Sequence, residues 1–296
     1  MKKVLVTGAN GFIGSYLCNR LIGAGCEVFA VVRDKSSNMK ELSKEKNIRI
    51  VHCDMDNYNL LPEKIQERGF DAFYHLAWRG VFHGDKSDYV LQTDNCKNTI
   101  EAAKASKSLG CNKFITTGTM TEFCVDSMIE EKLFPTNLIY AASKQYLSKA
   151  LSIYCNQNDI NLIWATLANT YGRGNLTGNV ISYILEEKEK GRTPQVGAGN
   201  FYYDFVHIKD CVEMLYLLGE KIDEGSFYIG SGQPKLLKDF FKDMEDVLNI
   251  TIDIGAKNSE TASYKKEWFD ISKTTELLGY LPIYDFKTGI ADMVKE

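Results

Sequence analysis

Residues 7–14 read Thr-Gly-Ala-Asn-Gly-Phe-Ile-Gly and decide the fold of this chain. They follow a short apolar run, Lys3–Thr7, and precede apolar residues at helical spacing from Phe12 to Ile22. A glycine-rich turn between a strand and a helix lets backbone N–H groups approach a pyrophosphate at the helix N-terminus. The spacing is GxxGxxG, and we predict a dinucleotide-binding turn with cofactor contacts from Gly8, Asn10, Gly11, Phe12, Ile13 and Gly14.

Short apolar runs of strand length recur after this turn and alternate with helical patterns. The predicted strands are Lys3–Thr7, Val28–Val32, Ile48–Cys53, Ala72–Leu76, Lys113–Thr117 and Leu162–Leu167, and the predicted helices include Tyr89–Leu109 and Ser143–Asn156. Alternating strands and helices form a parallel sheet that is covered on both faces. The sequence therefore predicts an α/β fold, a doubly wound parallel sheet of the Rossmann type.

The pattern changes after Asn169, where glycines and aromatic residues cluster and the predicted elements become short. We interpret residues 1–168 as an NAD(P)-binding Rossmann domain and residues 169–296 as mainly a smaller, C-terminal substrate-binding lobe. Part of 204–230 is expected to return to the Rossmann domain.

The composition excludes several classes of protein. The chain has 296 residues, of which 44% are hydrophobic and 25% charged, and its net charge is −4. This balance gives no basic field for nucleic acid, and no apolar run approaches the ~18 residues that span a membrane. The eight cysteines and four histidines are scattered, without CxxC pairs or metal-ligand spacing. We therefore expect buried thiols, no metal site, no nucleic-acid or membrane partner, and a reducing, cytoplasmic location.

The end of the second predicted strand indicates which dinucleotide binds. It reads Val-Val-Arg and ends at Arg33, without the carboxylate that an NAD site places there for the ribose 2′-hydroxyl. A guanidinium pairs with a 2′-phosphate, so NADP(H) is favoured over NAD(H). Alternatively, Arg33 is a solvated loop residue, or Asp34 pairs with it or contacts the ribose. Asp54 and Met55, after the third strand, are expected near the adenine.

Tyr140-Ala-Ala-Ser-Lys144 is a YxxxK motif. Four residues apart on a helix, the two side chains share one face and are separated by about 6 Å along the axis. A neighbouring ammonium favours the phenolate and lowers the pKa of a tyrosine, which makes it a usable acid/base. The motif predicts Tyr140 as the acid/base and Lys144 as its activator and as a ligand of the nicotinamide ribose.

With these motifs in place, the chain resembles the extended short-chain dehydrogenase/reductase family, especially its nucleotide-sugar epimerases, dehydratases and 4-ketoreductases. The resemblance covers essentially the whole chain. Its landmarks are TGANGFIG, His75-Leu-Ala77, Asn95, YAASK, Asn169-Thr-Tyr-Gly172, Tyr228-Ile-Gly-Ser-Gly232 and Asp270-Ile-Ser-Lys273.

The resemblance implies a catalytic triad of Thr119, Tyr140 and Lys144, with Thr117 as the alternative for the first role. It also implies cofactor contacts from Leu76 and Ala77, and substrate contacts from Trp78, Thr119, Met120, Asn169, Arg173 and Tyr203. Family members often carry an arginine that grips the nucleotide diphosphate where Tyr202-Tyr203-Asp204 stands here. Arg173 and Arg192 are the candidates to replace it.

The leading hypothesis for function is NADPH-dependent reduction of a nucleoside-diphosphate-4-keto-6-deoxysugar, with Tyr140 as proton donor, and Arg33 is the argument for net reduction. The alternative is an NAD-dependent nucleotide-sugar 4-epimerase that acts through a transient 4-keto intermediate. A third reading is a non-catalytic NADP-binding regulator, although Tyr140 and Lys144 are both retained. The resemblance further implies a homodimer that packs through the helices predicted at Tyr89–Leu109 and Ser143–Asn156.

Overall fold

The computed structural model describes residues 1–33, 47–81, 84–111, 113–175, 178–257 and 264–295. Its strands are β1 Lys3–Thr7, β2 Glu27–Val32, β3 Ile48–His52, β4 Ala72–His75, β5 Lys113–Thr119, β6 Asn161–Leu167, β7 Asn169–Tyr171, β8 Gln195–Gly197, β9 Tyr202–Tyr203, β10 Phe205–His207, β11 Gly225–Ile229, β12 Lys235–Leu236 and β13 Asp253–Lys257. Its α-helices are α1 Phe12–Gly23, α2 Leu61–Lys64, α3 Tyr89–Ser108, α4 Val125–Glu130, α5 Leu138–Gln157, α6 Val180–Glu189, α7 Ile208–Lys221, α8 Leu237–Leu248, α9 Ser272–Leu278 and α10 Phe286–Val294. Short 3₁₀ helices occupy Met55–Leu60, Gly84–Ser87, Met120–Cys124 and Lys266–Phe269.

Seven of these strands form one parallel sheet, in the order β11-β6-β5-β4-β1-β2-β3. Its central strands are buried on both faces, which is why they read as continuous apolar runs. β1 pairs with β2 on one side and with β4 on the other, so the strand order reverses at β1. Ligands of such sheets bind at the carboxyl ends of the strands beside this reversal. The predicted Rossmann-type doubly wound fold is confirmed.

Helices cover both faces of this sheet. Successive side chains of β1 point to opposite faces. Val4 and Val6 therefore join the core that contains Leu17 of α1 and Leu215 of α7. Leu5 joins the second core, with side chains of α3 and α5. The two layers hold the carboxyl edge of the sheet rigid, and this edge carries the candidate site.

The residues after Asn169 contain a third hydrophobic core, to which α6, α8 and α10 contribute. Its centre is aromatic, since the ring centroids of Phe205, Phe240 and Phe286 lie 4.7–5.2 Å apart. β11 pairs with β6 at the edge of the central sheet, and α7 contributes to the same core as α1. The chain thus crosses back from the smaller lobe to the sheet.

The eight cysteines are all buried and none forms a disulfide. Burial raises the pKa of Cys18, Cys111 and Cys155 to about 12, so these thiols stay protonated and pack as small apolar groups. In the described ranges, no cluster of three or more His, Cys, Asp or Glu side chains is arranged to hold a metal ion. Nor does this part of the chain contain a helix long and apolar enough to cross a membrane.

Candidate active site

The glycine turn between β1 and α1 has no room for side chains at two of its positions. Gly8 has a φ of +65°, and a Cβ there would lie 2.8 Å from the backbone nitrogen of Ala77. At Gly14 a Cβ would lie 2.0 Å from the carbonyl oxygen of Gly8. The Gly11 N–H closes the turn by donating to that same oxygen at 2.9 Å. The turn therefore packs backbone against backbone.

Helix α1 begins directly after this turn, and no side chain caps its N-terminus. The unsatisfied N–H groups of its first turn, which includes Phe12 and Ile13, are donors for an anion such as a pyrophosphate. Leu76 and Ala77 follow β4 at the same sheet edge, against Gly8. These features fit a dinucleotide, and they are the ones that the sequence predicts for it.

The residues predicted to contact the adenosine lie along the same edge. Arg33 directly follows β2 and is exposed. Asp54 precedes the 3₁₀ helix after β3, and Met55 is buried within that helix. β2 and β3 are paired up to Val32 and His52, which brings the two strand ends together. Asp34, the alternative ribose ligand, lies outside the described residues.

Tyr140 and Lys144 lie one turn apart in α5. Trp78, which lies in the loop after β4, contacts both of them. The Lys144 Nζ donates to the carbonyl oxygen of Thr117 at 2.7 Å and lies 3.6 Å from the centroid of the Trp78 ring. The edge-to-face Trp78–Tyr140 pair has a centroid separation of 6.0 Å. Trp78 is itself fixed by Gln92, whose Oε1 accepts from the indole Nε1 at 2.8 Å. Trp78, predicted as a substrate contact, thus also positions the motif.

The two threonines at the end of β5 have different contacts. Thr117 supplies the carbonyl oxygen that accepts from Lys144. The side chain of Thr119 caps the following 3₁₀ helix, accepting from the Thr121 N–H at 3.4 Å, and its hydrogen bonding to Tyr140 lowers the pKa of that phenol. The contact with Tyr140 favours Thr119 over Thr117 as the hydroxyl member of the predicted triad.

The pKa expected for Tyr140 differs from the pKa in the structure. The sequence predicts that Lys144 lowers it, yet burial and the Glu122 carboxylate raise it above the ordinary value of 10. Burial lowers the pKa of Lys144 to about 7, against the opposing effect of the same carboxylate. These shifts keep the Tyr140 phenol protonated at neutral pH and bring the pKa of Lys144 close to neutral.

Glu122 is the residue of this site that the sequence reasoning missed. Its Oε1 accepts from the Thr166 hydroxyl at 2.6 Å and from the Trp164 indole at 3.1 Å, while its buried Oε2 has no hydrogen-bond partner in the described ranges. A Cβ on Gly118 would lie 2.5 Å from Oε1, so glycine leaves the space for this carboxylate. Burial raises the pKa of Glu122. A carboxylate within an otherwise buried segment was the signal that could have identified it.

Replacing Glu122 with glutamine is expected to move the ionisation of Lys144 to lower pH. Glutamine keeps an acceptor for Trp164 and Thr166, but it removes the negative charge that raises the pKa of Lys144. If activity requires the ammonium, the limb of the pH profile of kcat/KM that falls with rising pH shifts downward. Asp126→Asn, an exposed carboxylate that accepts from Gln145, is the control and should leave the profile in place. A Glu122→Gln profile that overlays the wild type would contradict the coupling.

The predicted substrate contacts Met120, Asn169 and Tyr203 lie in two different parts of the chain, after β5 and in the smaller lobe. Met120 is buried beside Thr119. Asn169 donates through Nδ2 to the Tyr203 hydroxyl at 2.9 Å, and the Tyr203 ring packs edge-to-face on Tyr264. An aromatic, hydrogen-bonded pair therefore stands where the resemblance places an arginine.

The two arginines proposed to replace that residue are held elsewhere. Arg173 donates through Nε to the backbone carbonyl oxygen of Asp292 in α10 at 3.0 Å. Arg192 forms a two-pronged ion pair with Glu187 on the exposed surface after α6. Arg192 is thus engaged by a carboxylate, whereas Arg173 makes one hydrogen bond to a backbone carbonyl.

A comparison with protein families identifies the chain's relatives. The model of the NAD-dependent epimerase/dehydratase family matches residues 4–230. The chain belongs to this family. Its prediction as an extended short-chain dehydrogenase/reductase is thereby confirmed.

Two similar proteins and one solved structure illustrate the family. CDP-abequose synthase of Salmonella typhimurium is 25% identical over 305 residues, with 99% of this chain and 97% of that protein covered. The dTDP-6-deoxy-L-talose 4-dehydrogenase (NAD(+)) of Aggregatibacter actinomycetemcomitans is 27% identical, with 79% of this chain and 86% of that protein covered. The UDP-N-acetylglucosamine 4-epimerase from Methanobrevibacter ruminantium has a TM-score of 0.82 at 22% identity, with coverage of 99% and 97%. This last likeness shows a shared fold.

Proposed function

We propose that the chain is an NAD(P)-dependent nucleotide-sugar oxidoreductase, and specifically an NADPH-dependent reductase of a nucleoside-diphosphate-4-keto-6-deoxysugar. The observation that carries the proposal is the convergence of Thr119, Tyr140 and Lys144 at the sheet edge that also bears the glycine turn. The similarity to a 4-dehydrogenase of a 6-deoxy-talose nucleotide supports chemistry at C4 of a deoxysugar.

The residues of the site have separate roles in this reaction. Bound NADPH supplies the hydride. Tyr140 donates its phenolic proton to the keto oxygen, and the Thr119 hydroxyl donates a hydrogen bond to the same oxygen. Lys144 lies one turn from Tyr140 in α5, and burial lowers its pKa to about 7, so we assign it the reprotonation of Tyr140 after each turnover. Trp78 fixes the positions of both α5 side chains by packing against them.

We keep a nucleotide-sugar 4-epimerase as the second candidate. Its support is the name of the family, which is NAD-dependent, and the fold shared with a UDP-N-acetylglucosamine 4-epimerase. The same three residues serve an epimerase, which oxidises C4 and returns the hydride to the other face. A non-catalytic regulator is less well supported, because Tyr140 and Lys144 lie together in the site with Thr119.

Incubation with nucleotide sugars separates the two activities. The purified chain is mixed, with and without NADPH, with a panel of nucleotide hexoses and nucleoside-diphosphate-4-keto-6-deoxysugars, and the products are separated by chromatography and analysed by mass spectrometry. We expect NADPH consumption and a product heavier by two hydrogen atoms. Interconversion of nucleotide hexoses of unchanged mass, without net NADPH consumption, would instead establish the epimerase.

We propose that Arg33 gives the site its preference for NADP(H) over NAD(H). Arg33→Ala is expected to weaken NADPH binding by about ten- to a hundredfold, because one charge-assisted pair with a 2′-phosphate contributes about 1.5–3 kcal/mol. The affinity for NADH should stay nearly unchanged in calorimetric titrations of the apo chain. Arg192→Ala, an exposed arginine paired with Glu187, is the control for both cofactors. NAD that stays bound through dialysis of the wild type would contradict the preference and favour the epimerase.

We further propose that residues 1–168, with part of 204–230, bind the dinucleotide, and that the rest of 169–296 binds the substrate. Asn169 and Tyr203 face the triad from that lobe in this proposal.

A homodimer is proposed through α3 and α5, which expose large apolar side chains. Tyr89 and Val90 are exposed at the start of α3, and Tyr146 and Ile153 on α5. Burial of such side chains is the usual driving force of a homodimer.

A further inference from the structure

Lys86 lies beside the acid/base of the site. Its Nζ is 5.6 Å from the centroid of the Tyr140 ring, and its side chain is partly buried. In the described ranges no carboxylate forms an ion pair with it, whereas Lys209, Lys235 and Lys287 each pair with an aspartate. Burial lowers the pKa of Lys86. A cation without a protein counter-ion thus borders the reacting phenol.

The turn that carries Lys86 is held in place by buried hydrogen bonds. Gln92 is fully buried, and its Nε2 donates to the carbonyl oxygens of Gly80 at 3.2 Å and of Asp85 at 3.0 Å. The Oε1 of the same amide accepts from Trp78, which contacts Tyr140. On the other side of Lys86, the Asp88 carboxylate caps α3. One amide therefore ties the position of Lys86 to the position of Tyr140.

A partly buried ammonium is stabilised when an anion reaches it, because none of the ion pairs among the described residues compensates the desolvation of Lys86. The proposed substrate carries negative charge on its nucleoside diphosphate. Of the arginines that the sequence offers for this charge, Arg192 is paired with the Glu187 carboxylate and Arg173 donates to the backbone carbonyl of Asp292. Besides Lys144 of the triad, Lys86 is a lysine whose Nζ lies close to the Tyr140 ring, 5.6 Å from its centroid.

We propose that Lys86 binds an anionic oxygen of the substrate and so selects substrates that carry negative charge near the reacting sugar. This inference rests on the proposed function. The anionic oxygen belongs either to the diphosphate or to a carboxylate on the sugar, and both have the same chemistry towards an ammonium. Lys86 is a binding residue in this proposal. Its replacement is therefore expected to raise KM and weaken substrate affinity more than it lowers kcat.

Calorimetry on the full chain with NADP⁺ bound tests the proposal. The probes are CDP, UDP and dTDP, followed by UDP-glucuronate beside UDP-glucose. Lys86→Met is expected to lower the affinity for the tightest-binding probe by about tenfold or more, which is the effect of losing one charge-assisted hydrogen bond. Lys86→Arg should retain most of that affinity. Lys149→Met, an exposed lysine further along α5, is the matched control and should bind as the wild type does. Urea denaturation of each variant verifies that it is folded.

The outcomes separate the two sources of the anion. Weaker binding of the nucleoside diphosphates and of both nucleotide sugars by a similar factor assigns Lys86 to the diphosphate, and loss of a preference for UDP-glucuronate over UDP-glucose assigns it to a sugar carboxylate. Wild-type affinities for every probe in Lys86→Met would overturn the inference and leave the proposed function intact. A wild-type chain that binds no nucleoside diphosphate and no nucleotide sugar would overturn both.

Discussion

Replacing Tyr140 with phenylalanine is expected to lower kcat by about 10²–10⁴-fold, the usual contribution of one positioned acid/base. The ring itself should stay in place, because Trp78 and Lys86 contact it through its edge and face rather than through the hydroxyl. Dinucleotide affinity and the free energy of unfolding are therefore expected to match the wild type. Steady-state kinetics with the substrate found in the panel, together with calorimetry of the cofactor, measures the two separately.

Tyr146 provides the control for this variant within the same helix. It lies in α5 with 61% of its surface exposed, so Tyr146→Phe removes a phenolic hydroxyl without touching the site. Unchanged turnover is expected there. A Tyr140→Phe enzyme with wild-type kcat would remove this residue from the chemistry. Equal losses in both variants would point to a general effect on α5 instead of a proton donor.

The central strands of the sheet could be predicted from the sequence because they are buried along most of their length, as β1, β2 and β4 are. β1 occupies Lys3–Thr7, as its apolar run predicts. β5 extends two residues beyond its predicted end, since Gly118 and Thr119 continue the pairing with β6. Neither residue is apolar, so only the neighbouring strand reveals that they belong to the ladder. Pairing with a distant segment sets such boundaries, and the local sequence carries little of that information.

Helix α5 shows the same effect at its N-terminus. The apolar pattern predicts a start at Ser143, whereas the helix begins at Leu138 and includes Tyr140. The additional turn follows a bend in which the Leu138 N–H donates to the carbonyl oxygen of Pro135. Leu138 and Ala141 then anchor this turn in the core. The YxxxK motif thus lies fully within the helix, where both side chains share a face.

The chemistry of the site could be predicted only where it depends on local spacing. The four-residue separation of Tyr140 and Lys144 is visible in the sequence. The contacts that set their pKa values come from elsewhere in the chain, because Trp78 follows β4 and Glu122 follows β5. Burial and the Glu122 carboxylate raise the pKa of Tyr140, so the direction expected for it was wrong. Protonation states depend on the whole fold around a motif.

Gly14→Ala is expected to disrupt the dinucleotide site although alanine is normally the better helix former. In an ordinary helical position the change stabilises by roughly 0.5–1 kcal/mol. At Gly14, however, the new Cβ would lie 2.0 Å from the Gly8 carbonyl oxygen and 3.0 Å from the Ala9 Cα, and both are backbone atoms. The turn has to open, at the cost of about 1–3 kcal/mol that overpacking usually carries.

Gly23, the last residue of the same helix, supplies the matched control because a Cβ there would meet no atom within 4 Å. Gly23→Ala should therefore leave the urea midpoint and the cofactor affinity unchanged or slightly raised. Gly14→Ala should lower both, with a loss of dinucleotide affinity of at least about tenfold, since each 1.4 kcal/mol of misplaced backbone corresponds to a factor of ten. The decisive comparison is the ratio of the two affinities. If both variants bind the dinucleotide equally well, the close packing of Gly14 on Gly8 is not what shapes the pyrophosphate site.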